Sequence, residues 1–188
     1  MPKSSSGWSY SSPSGREVPG TSKLAGREVM SAIASALERG TNRFHELKPY
    51  ANIEEIREAQ FTGGVLGTYS STREITVKSG LSPEQNAWVG AHEVAHGFLT
   101  SYSWATSKDT PAGYNTPQRA VDLAVRQYNR RHGTNLNAGD FSRLITPYAG
   151  TRATEAVSEA FADWSTRGRG STEASRLILS NLRRRGRR

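Results

Sequence analysis

Hydrophobic positions recur with the 3.6-residue period of an α-helix over much of the chain. The clearest run follows Ser82–Gln85, whose residues are typical of a capped helix start, and continues to about Ser101. The same period predicts helices over residues 23–39, 116–131, 152–167 and 172–185. Gly40 is predicted to end the first of these. A shorter helix is expected over residues 54–60, and a loop over residues 135–140.

Two short segments with β-rich composition precede the helix that follows Ser82. Val65–Tyr69 and Glu74–Lys78 flank Ser70–Arg73, a four-residue linker of the kind that closes a hairpin. The hairpin has two interpretations: its edge strand binds an extended peptide through the backbone, or it only covers the core. The hairpin and the helices together predict a mainly helical α+β fold with a small antiparallel sheet.

Composition divides the chain into three parts. Residues 1–22 are rich in Ser, Gly and Pro, which is typical of a disordered arm or of an extended arm that orders on a partner. Residues 23–180 contain the periodic segments and are long enough for one hydrophobic core. Residues 181–188 form a tail with five arginines, and residues 167–188 carry +7 of the net charge of +8.

Features that the sequence lacks restrict its chemistry. There is no Cys, which excludes disulfides, thiolate metal ligands and thiol nucleophiles. No apolar run of the Sec signal type follows Lys3, and no segment approaches 18 apolar residues. We therefore expect neither a Sec signal peptide nor a membrane partner.

The helix after Ser82 carries the residues with the most specific chemistry. His92 and His96 are four residues apart, so their imidazoles lie on one face, at the half-buried edge of the apolar stripe. Glu93 lies about 100° further round, where it reaches a water on a shared ion but is badly placed to bind the ion. Two imidazoles for Zn²⁺ and a carboxylate that takes a proton from zinc-bound water are typical of a zinc hydrolase. The alternative is a surface helix that carries two histidines and a glutamate by chance. The apolar residues that flank them disfavour this alternative.

Three acids on the 152–167 helix are candidates for the rest of this site. Glu155, Glu159 and Asp163 are spaced four apart along one face, without an intervening Lys or Arg. Because three like charges on one face repel one another, the row requires either a compensating cation or hydrogen bonds to its carboxylates. The alternative is a solvated acidic face. Tyr102 stands where an extended form of the motif would have a third histidine, so the third ligand must come from elsewhere.

In combination these residues resemble the gluzincins, in which a His-Glu-x-x-His helix is followed by a Glu on a downstream helix. The sequence is most similar to the toxin and phage zincins that include the metalloprotease domain of anthrax lethal factor. Those proteins carry a tyrosine seven residues before the ligand Glu, and then a Glu-Ala-Phe that continues the helix. Here the matching residues are Tyr148, Glu155 and Glu159-Ala160-Phe161, and the resemblance covers about residues 63–165.

The resemblance implies a zincin-like fold and a set of roles around one zinc ion. Glu155 would be the third ligand beside the two histidines, Tyr148 would donate a hydrogen bond to the oxyanion, and Glu159 would accept the free N–H of a ligand histidine. The segment before Glu155 lacks the Asn expected there. In the alternative arrangement Glu159 is the ligand and Asp163 stands behind it, although the spacing from Tyr148 favours Glu155.

Three classes of function follow. The first is a zinc endopeptidase that uses Glu93 as general base on a protein or peptide substrate. The second is a phage virion component that processes a neighbouring capsid protein or has lost its activity. For all of these functions, the expected location is the cytoplasm or the virion. The third is binding of nucleic acid without sequence preference through Arg183, Arg184, Arg185, Arg187 and Arg188, for which a solubilising terminus is the alternative.

Overall fold

Helix α2 (Pro83–Phe98) lies at the centre of the computed structural model, which describes residues 16–50, 53–99, 111 and 113–183. The Ser82 side chain accepts a hydrogen bond from the backbone N–H of Gln85, and the Gln85 side chain accepts one from the backbone N–H of Ser82. This reciprocal pair confirms the predicted helix start. Because α1 (Arg27–Arg43) and α5 (Ala153–Arg167) both pack against α2, most of its residues are buried.

A four-stranded sheet packs on another side of α2. Its strands are β1 (Lys23–Leu24), β2 (Glu55–Ala59), β3 (Gly67–Tyr69) and β4 (Glu74–Lys78), in the order β1-β2-β4-β3. The predicted hairpin is confirmed, because β3 and β4 pair antiparallel. The sheet as a whole is mixed rather than antiparallel, since β2 and β4 run parallel. β3 is at one end of this order and lies against α2.

The prediction of a short helix over residues 54–60 is wrong, because this segment contains β2. Its Glu, Arg, Ala and Gln residues favour a helix locally, but the strand pairs with β1 on one edge and with β4 on the other. β1 likewise takes up the start of the helix predicted over residues 23–39, and α1 begins only at Arg27.

Gly40 does not end α1, which continues to Arg43. It is fully packed inside the helix, where a β-carbon would lie 2.7 Å from the ring of Phe98 and 3.1 Å from the ring of Phe161. The glycine is therefore explained by the close approach of α1 to the rings on α2 and α5, and not by a turn.

The C-terminal helices follow the predicted pattern closely. They are α3 (Pro117–His132), α5 and α6 (Glu173–Leu182), with a short α4 (Ala138–Ser142) in the segment where a loop was expected. Thr116 caps α3, and Gly133 ends it with a left-handed φ of 63°. α6 ends at Leu182, three residues before the predicted end, and its apolar face packs on α3 and α5.

Residues 16–22, the described part of the predicted N-terminal arm, lie against the segment that follows β2. Glu17 forms an antiparallel bridge with Phe61, and the backbone N–H of Val18 donates to the carbonyl of Gln60 at 2.8 Å. This part of the arm is thus held by backbone hydrogen bonds, and it turns at Pro19 and Gly20, where the N–H of Thr21 donates to the carbonyl of Val18. Residues 1–15 and 184–188 lie outside the described residues, and with them most of the predicted basic tail. No helix in the described part of the chain combines the length and apolarity needed to cross a bilayer.

Candidate metal centre

Two histidines of α2 and one glutamate of α5 converge where these helices pack together. The Nε2 atoms of His92 and His96 are 2.9 Å apart, and the Oε2 atom of Glu155 lies 3.2 Å from each of them. The three side chains form a group whose ligand atoms can all reach one metal ion. The four-residue spacing on α2 and the first turn of α5 therefore bring together the residues that the sequence predicted.

The donor atoms fit a zinc ion. Ligands held about 2.0–2.1 Å from tetrahedral Zn²⁺ are about 3.3 Å from each other. The separations of 2.9 and 3.2 Å among His92, His96 and Glu155 are close to this value, so small side-chain shifts are enough to accommodate the ion. Two neutral imidazoles and one carboxylate are also a donor set that zinc hydrolases use, and they leave a net charge of +1 on the centre.

The three side chains differ in exposure. The side chain of His92 is only 1 % exposed, whereas those of His96 and Glu155 are 21 % and 14 % exposed. His92 is thus fully buried rather than half-buried at the edge of the apolar stripe. The opening of the centre to solvent lies on the side of His96 and Glu155.

Residues behind the histidines fix their ring orientation. The Nδ1 atom of His92 lies 2.8 Å from Oε1 of Glu159, which is buried, and the hydroxyl of Ser158 lies 3.3 Å from Nδ1 of His96. With Nδ1 engaged in this way, the Nε2 atom of each ring points to the centre. Glu159 therefore lies behind His92, as the resemblance implied, and Glu155 is the acid that faces both Nε2 atoms.

The charges of the metal-free cluster stabilise one another. Burial alone would lower the pKa of His92, but its contacts with Glu155 and Glu159 raise this pKa from 6.5 to about 10. Burial alone would raise the pKa of Glu155, but hydrogen bonds with His92 and His96 lower it. Without metal, a protonated His92 thus supplies the positive charge between the carboxylates of Glu155 and Glu159.

The two predicted catalytic residues lie beside the cluster. Glu93 is 2 % exposed and sits under β3, where a β-carbon at Gly67 would be 2.9 Å from its Oε1 atom. Tyr148 begins a short 3₁₀ turn before α5, and its ring centroid is 6.0 Å from that of His92. Burial and the nearby carboxylates, Glu155 first among them, raise the pKa of Tyr148, so its hydroxyl remains a hydrogen-bond donor.

Asp163 lies on a different side of α5 from Glu155. Its carboxylate accepts hydrogen bonds from the backbone N–H of Thr172 at 2.8 Å and from the hydroxyl of Ser175 at 2.6 Å, and it pairs with Arg167. The reason is helix geometry: eight residues along a helix turn the side chain about 80° from Glu155. These contacts of Asp163 fasten the start of α6 to α5 and do not support the alternative arrangement in which Asp163 stands behind a metal-binding Glu159.

Arg183, the described arginine of the predicted nucleic-acid tail, has contacts within the fold. Its guanidinium donates to the Glu46 carboxylate at 2.8 Å and to the carbonyl of Arg43 at 2.7 Å. Arg183 thus anchors the end of α6 to the end of α1. The other four arginines of the predicted nucleic-acid set, Arg184, Arg185, Arg187 and Arg188, lie outside the described residues.

Trp88 is a residue of the site that the sequence did not single out. Its indole N–H lies 3.3 Å from Oε2 of Glu159. Trp88 falls in the apolar period of α2, which by itself indicates packing in the core, although its position four residues before His92 places the two on the same helix face. The four-residue spacing between Trp88 and His92 is therefore the sequence signal that could have placed Trp88 at the site.

Comparisons with protein-family models, with curated proteins and with solved structures find no match to this chain. The residues of the site therefore carry the functional argument.

Proposed function

We propose that this protein is a zinc-dependent endopeptidase with a zincin-like fold of the gluzincin type. The observation that carries the proposal is the convergence of His92 Nε2, His96 Nε2 and Glu155 Oε2 within 3.2 Å of one another. All three residues belong to α2 and α5, which pack against each other in the core, so the fold sets their relative positions. When bound by these three residues, Zn²⁺ supplies Lewis-acid chemistry, lowering the pKa of water and polarising a carbonyl.

Glu93 is the general base in this proposal. It follows His92 directly on α2, so its carboxylate is next to the ligands without being one of them. It takes a proton from the attacking water and passes it to the leaving amine. Its burial under β3 keeps it away from solvent, and its charge acts on both His92 and Tyr148.

Tyr148 stabilises the oxyanion that forms from the scissile carbonyl. Its raised pKa keeps the phenol protonated, its ring centroid lies 6.0 Å from that of His92, and the Glu155 carboxylate is among the groups that act on its hydroxyl. One such donor is commonly worth about 3 kcal/mol in the transition state.

The position of β3 supports a peptide as substrate. β3 pairs with β4 on one edge and is the last strand of the sheet among those described. It also lies against α2, with Gly67 next to Glu93 and the Tyr69 ring next to Gly97. An extended peptide that pairs with the other edge of β3 would run past the general base, and the backbone contacts suit cleavage within a chain.

Metal analysis combined with Glu93→Gln tests this function. The wild-type protein is expected to bind about one equivalent of zinc and to cleave peptides until a chelator is added. Glu93→Gln should keep the zinc and lose hydrolysis by several orders of magnitude, because it removes the base but no ligand. Glu38→Gln, the same change at an exposed position of α1, is the matched control and should be fully active. A wild-type protein that binds no zinc when zinc is offered would overturn the proposal.

A further inference from the structure

Behind His92, one of the proposed ligands on α2, lies a chain of contacts that begins at an aromatic ring. Glu159 is 1 % exposed and has its two carboxylate oxygens in different contacts. Oε1 lies 2.8 Å from Nδ1 of His92, and Oε2 lies 3.3 Å from the indole N–H of Trp88. The carboxylate is therefore held between one ring that faces the metal centre and one that does not.

The other side of the Trp88 ring is held as well. The guanidinium of Arg167 lies over it, 5.1 Å from the ring centroid, and pairs with Asp163 at 3.1 Å. A cation within about 6 Å of an indole face is attracted by the ring. Asp163, which does not contact the ligands, is thus connected to them through Arg167 and Trp88.

We propose that Trp88 is a positioning residue for the metal centre, and that it acts through Glu159 on His92. This inference rests on the proposed zinc site. The indole N–H fixes the rotation of the Glu159 carboxylate, and the carboxylate fixes the tautomer and tilt of the His92 imidazole. Arg167, stacked on the ring, limits the movement of Trp88.

The physical reason is that Glu159 is buried and charged. A buried carboxylate is costly unless its oxygens accept hydrogen bonds, so loss of the Trp88 donor leaves Oε2 without the partner described above. The carboxylate then rotates toward other donors, and the His92 imidazole follows. Residues directly behind a metal ligand typically contribute about 10–100-fold to affinity, and we expect a residue one step further out to contribute about 3–10-fold.

The first test compares the zinc dissociation constants of Trp88→Phe and Trp164→Phe. Both changes replace an indole by a phenyl ring beneath an arginine, since Arg43 lies 4.5 Å from the ring centroid of Trp164. Within the described part of the chain, however, the Trp164 N–H has no hydrogen-bond acceptor. Trp88→Phe should raise the zinc dissociation constant about 3–10-fold, and Trp164→Phe less than 2-fold. Thermal unfolding without metal checks that both variants fold.

A double-mutant cycle separates positioning from a general packing role. If Trp88 acts through Glu159, Trp88→Phe should change zinc affinity less than about 2-fold in a Glu159→Ala background. Arg167→Gln, at a half-buried position, should give a smaller loss than Trp88→Phe that also disappears in that background. Equal effects of Trp88→Phe in both backgrounds, or equal zinc constants for the two tryptophan variants, would overturn the inference while leaving the zinc site intact. A wild-type protein without zinc affinity would overturn the proposed function as well.

Discussion

The backbone of Gly67 on β3 passes so close to Glu93 that a β-carbon at position 67 would lie 2.9 Å from Oε1 of the carboxylate. The same atom would lie 2.7 Å from Cγ1 of Val89, one turn earlier on α2. Both distances are too short for real contacts, so position 67 sets how near the edge strand comes to the proposed base. The position of β3 and the position of the Glu93 carboxylate therefore depend on each other.

Gly67→Ala should therefore lower peptide hydrolysis without removing the metal. We expect kcat/KM to fall at least about 10-fold, because either β3 or the Glu93 side chain must move by a sizeable fraction of an ångström. Zinc content should stay at one equivalent, since the ligands are not displaced. Gly170→Ala is the matched control: a β-carbon there meets no atom within 4 Å, and activity should be unchanged. Full activity of Gly67→Ala would show that the base does not depend on this contact.

Glu155→Ala should weaken zinc binding far more than Glu159→Ala. The first change removes a donor that lies 3.2 Å from both Nε2 atoms, whereas the second removes the partner of His92 Nδ1. For Glu159→Ala we expect a loss of about 10–100-fold in affinity. Competition with a chromogenic chelator gives both dissociation constants. The opposite order would assign the ligand role to Glu159.

Tyr148→Phe should keep zinc and reduce kcat about 100-fold, because only a transition-state hydrogen bond is lost. KM should change little if the phenol does not bind the ground state. Tyr128→Phe is a suitable control, since Tyr128 stacks on His132 at 4.3 Å and lies on α3. Steady-state kinetics on one peptide separate the two constants, and a large rise in KM alone would give Tyr148 a role in substrate binding instead.

Truncation of the tail should have two distinct outcomes. Removal of residues 184–188 takes away four arginines, and we expect it to reduce any salt-dependent nucleic-acid binding while leaving peptide hydrolysis intact. Removal of residues 182–188 should also lower the Tm by several degrees. Leu182 is fully buried, its carbonyl accepts a hydrogen bond from Asn115, and Arg183 pairs with Glu46. Equal melting temperatures would show that this anchor is dispensable.

The metal-free protein should lose stability as pH rises from about 6.5 toward 10. Although burial acts in the other direction, the contacts with Glu155 and Glu159 raise the pKa of His92 to about 10. A group with a raised pKa stabilises the folded state fully below its unfolded value, and this contribution is lost as pH rises through the folded value. Thermal unfolding in a chelator measures the trend, and His92→Gln should flatten it. A wild-type Tm that is constant over this range would contradict the expected shift.

The helices could be predicted from the sequence because their signals are local. Ser82 with Gln85, Thr116 with Pro117, and the apolar period place α2 and α3 within a few residues of their observed bounds. β2 could not be predicted in this way, since its residues favour a helix and only pairing with β1 and β4 makes it extended. Gly40 was mistaken for a helix end because nothing local reveals the rings of Phe98 and Phe161.

The residues of the candidate site show the same difference between local signals and contacts with distant residues. His92, His96 and Glu155 follow from spacing and resemblance, and the structure brings them together. Asp163 was misplaced because a row of acids four apart drifts around the helix, so its last member faces α6. Trp88 was missed because a tryptophan in an apolar stripe can both pack in the core and donate a hydrogen bond from its indole N–H. The hydrophobic period indicates only the packing.

The unequal exposure of the three proposed ligands implies an order in which an ion loads and leaves. In the proposed site, the partly exposed Glu155 and His96 would meet an incoming ion first, whereas His92 is buried, with its Nδ1 atom against Glu159. Departure takes the reverse path, through the partly exposed side of Glu155 and His96. A chelator should then reach the ion from the side of Glu155 and His96, and His92 should be the last of the three residues to release it.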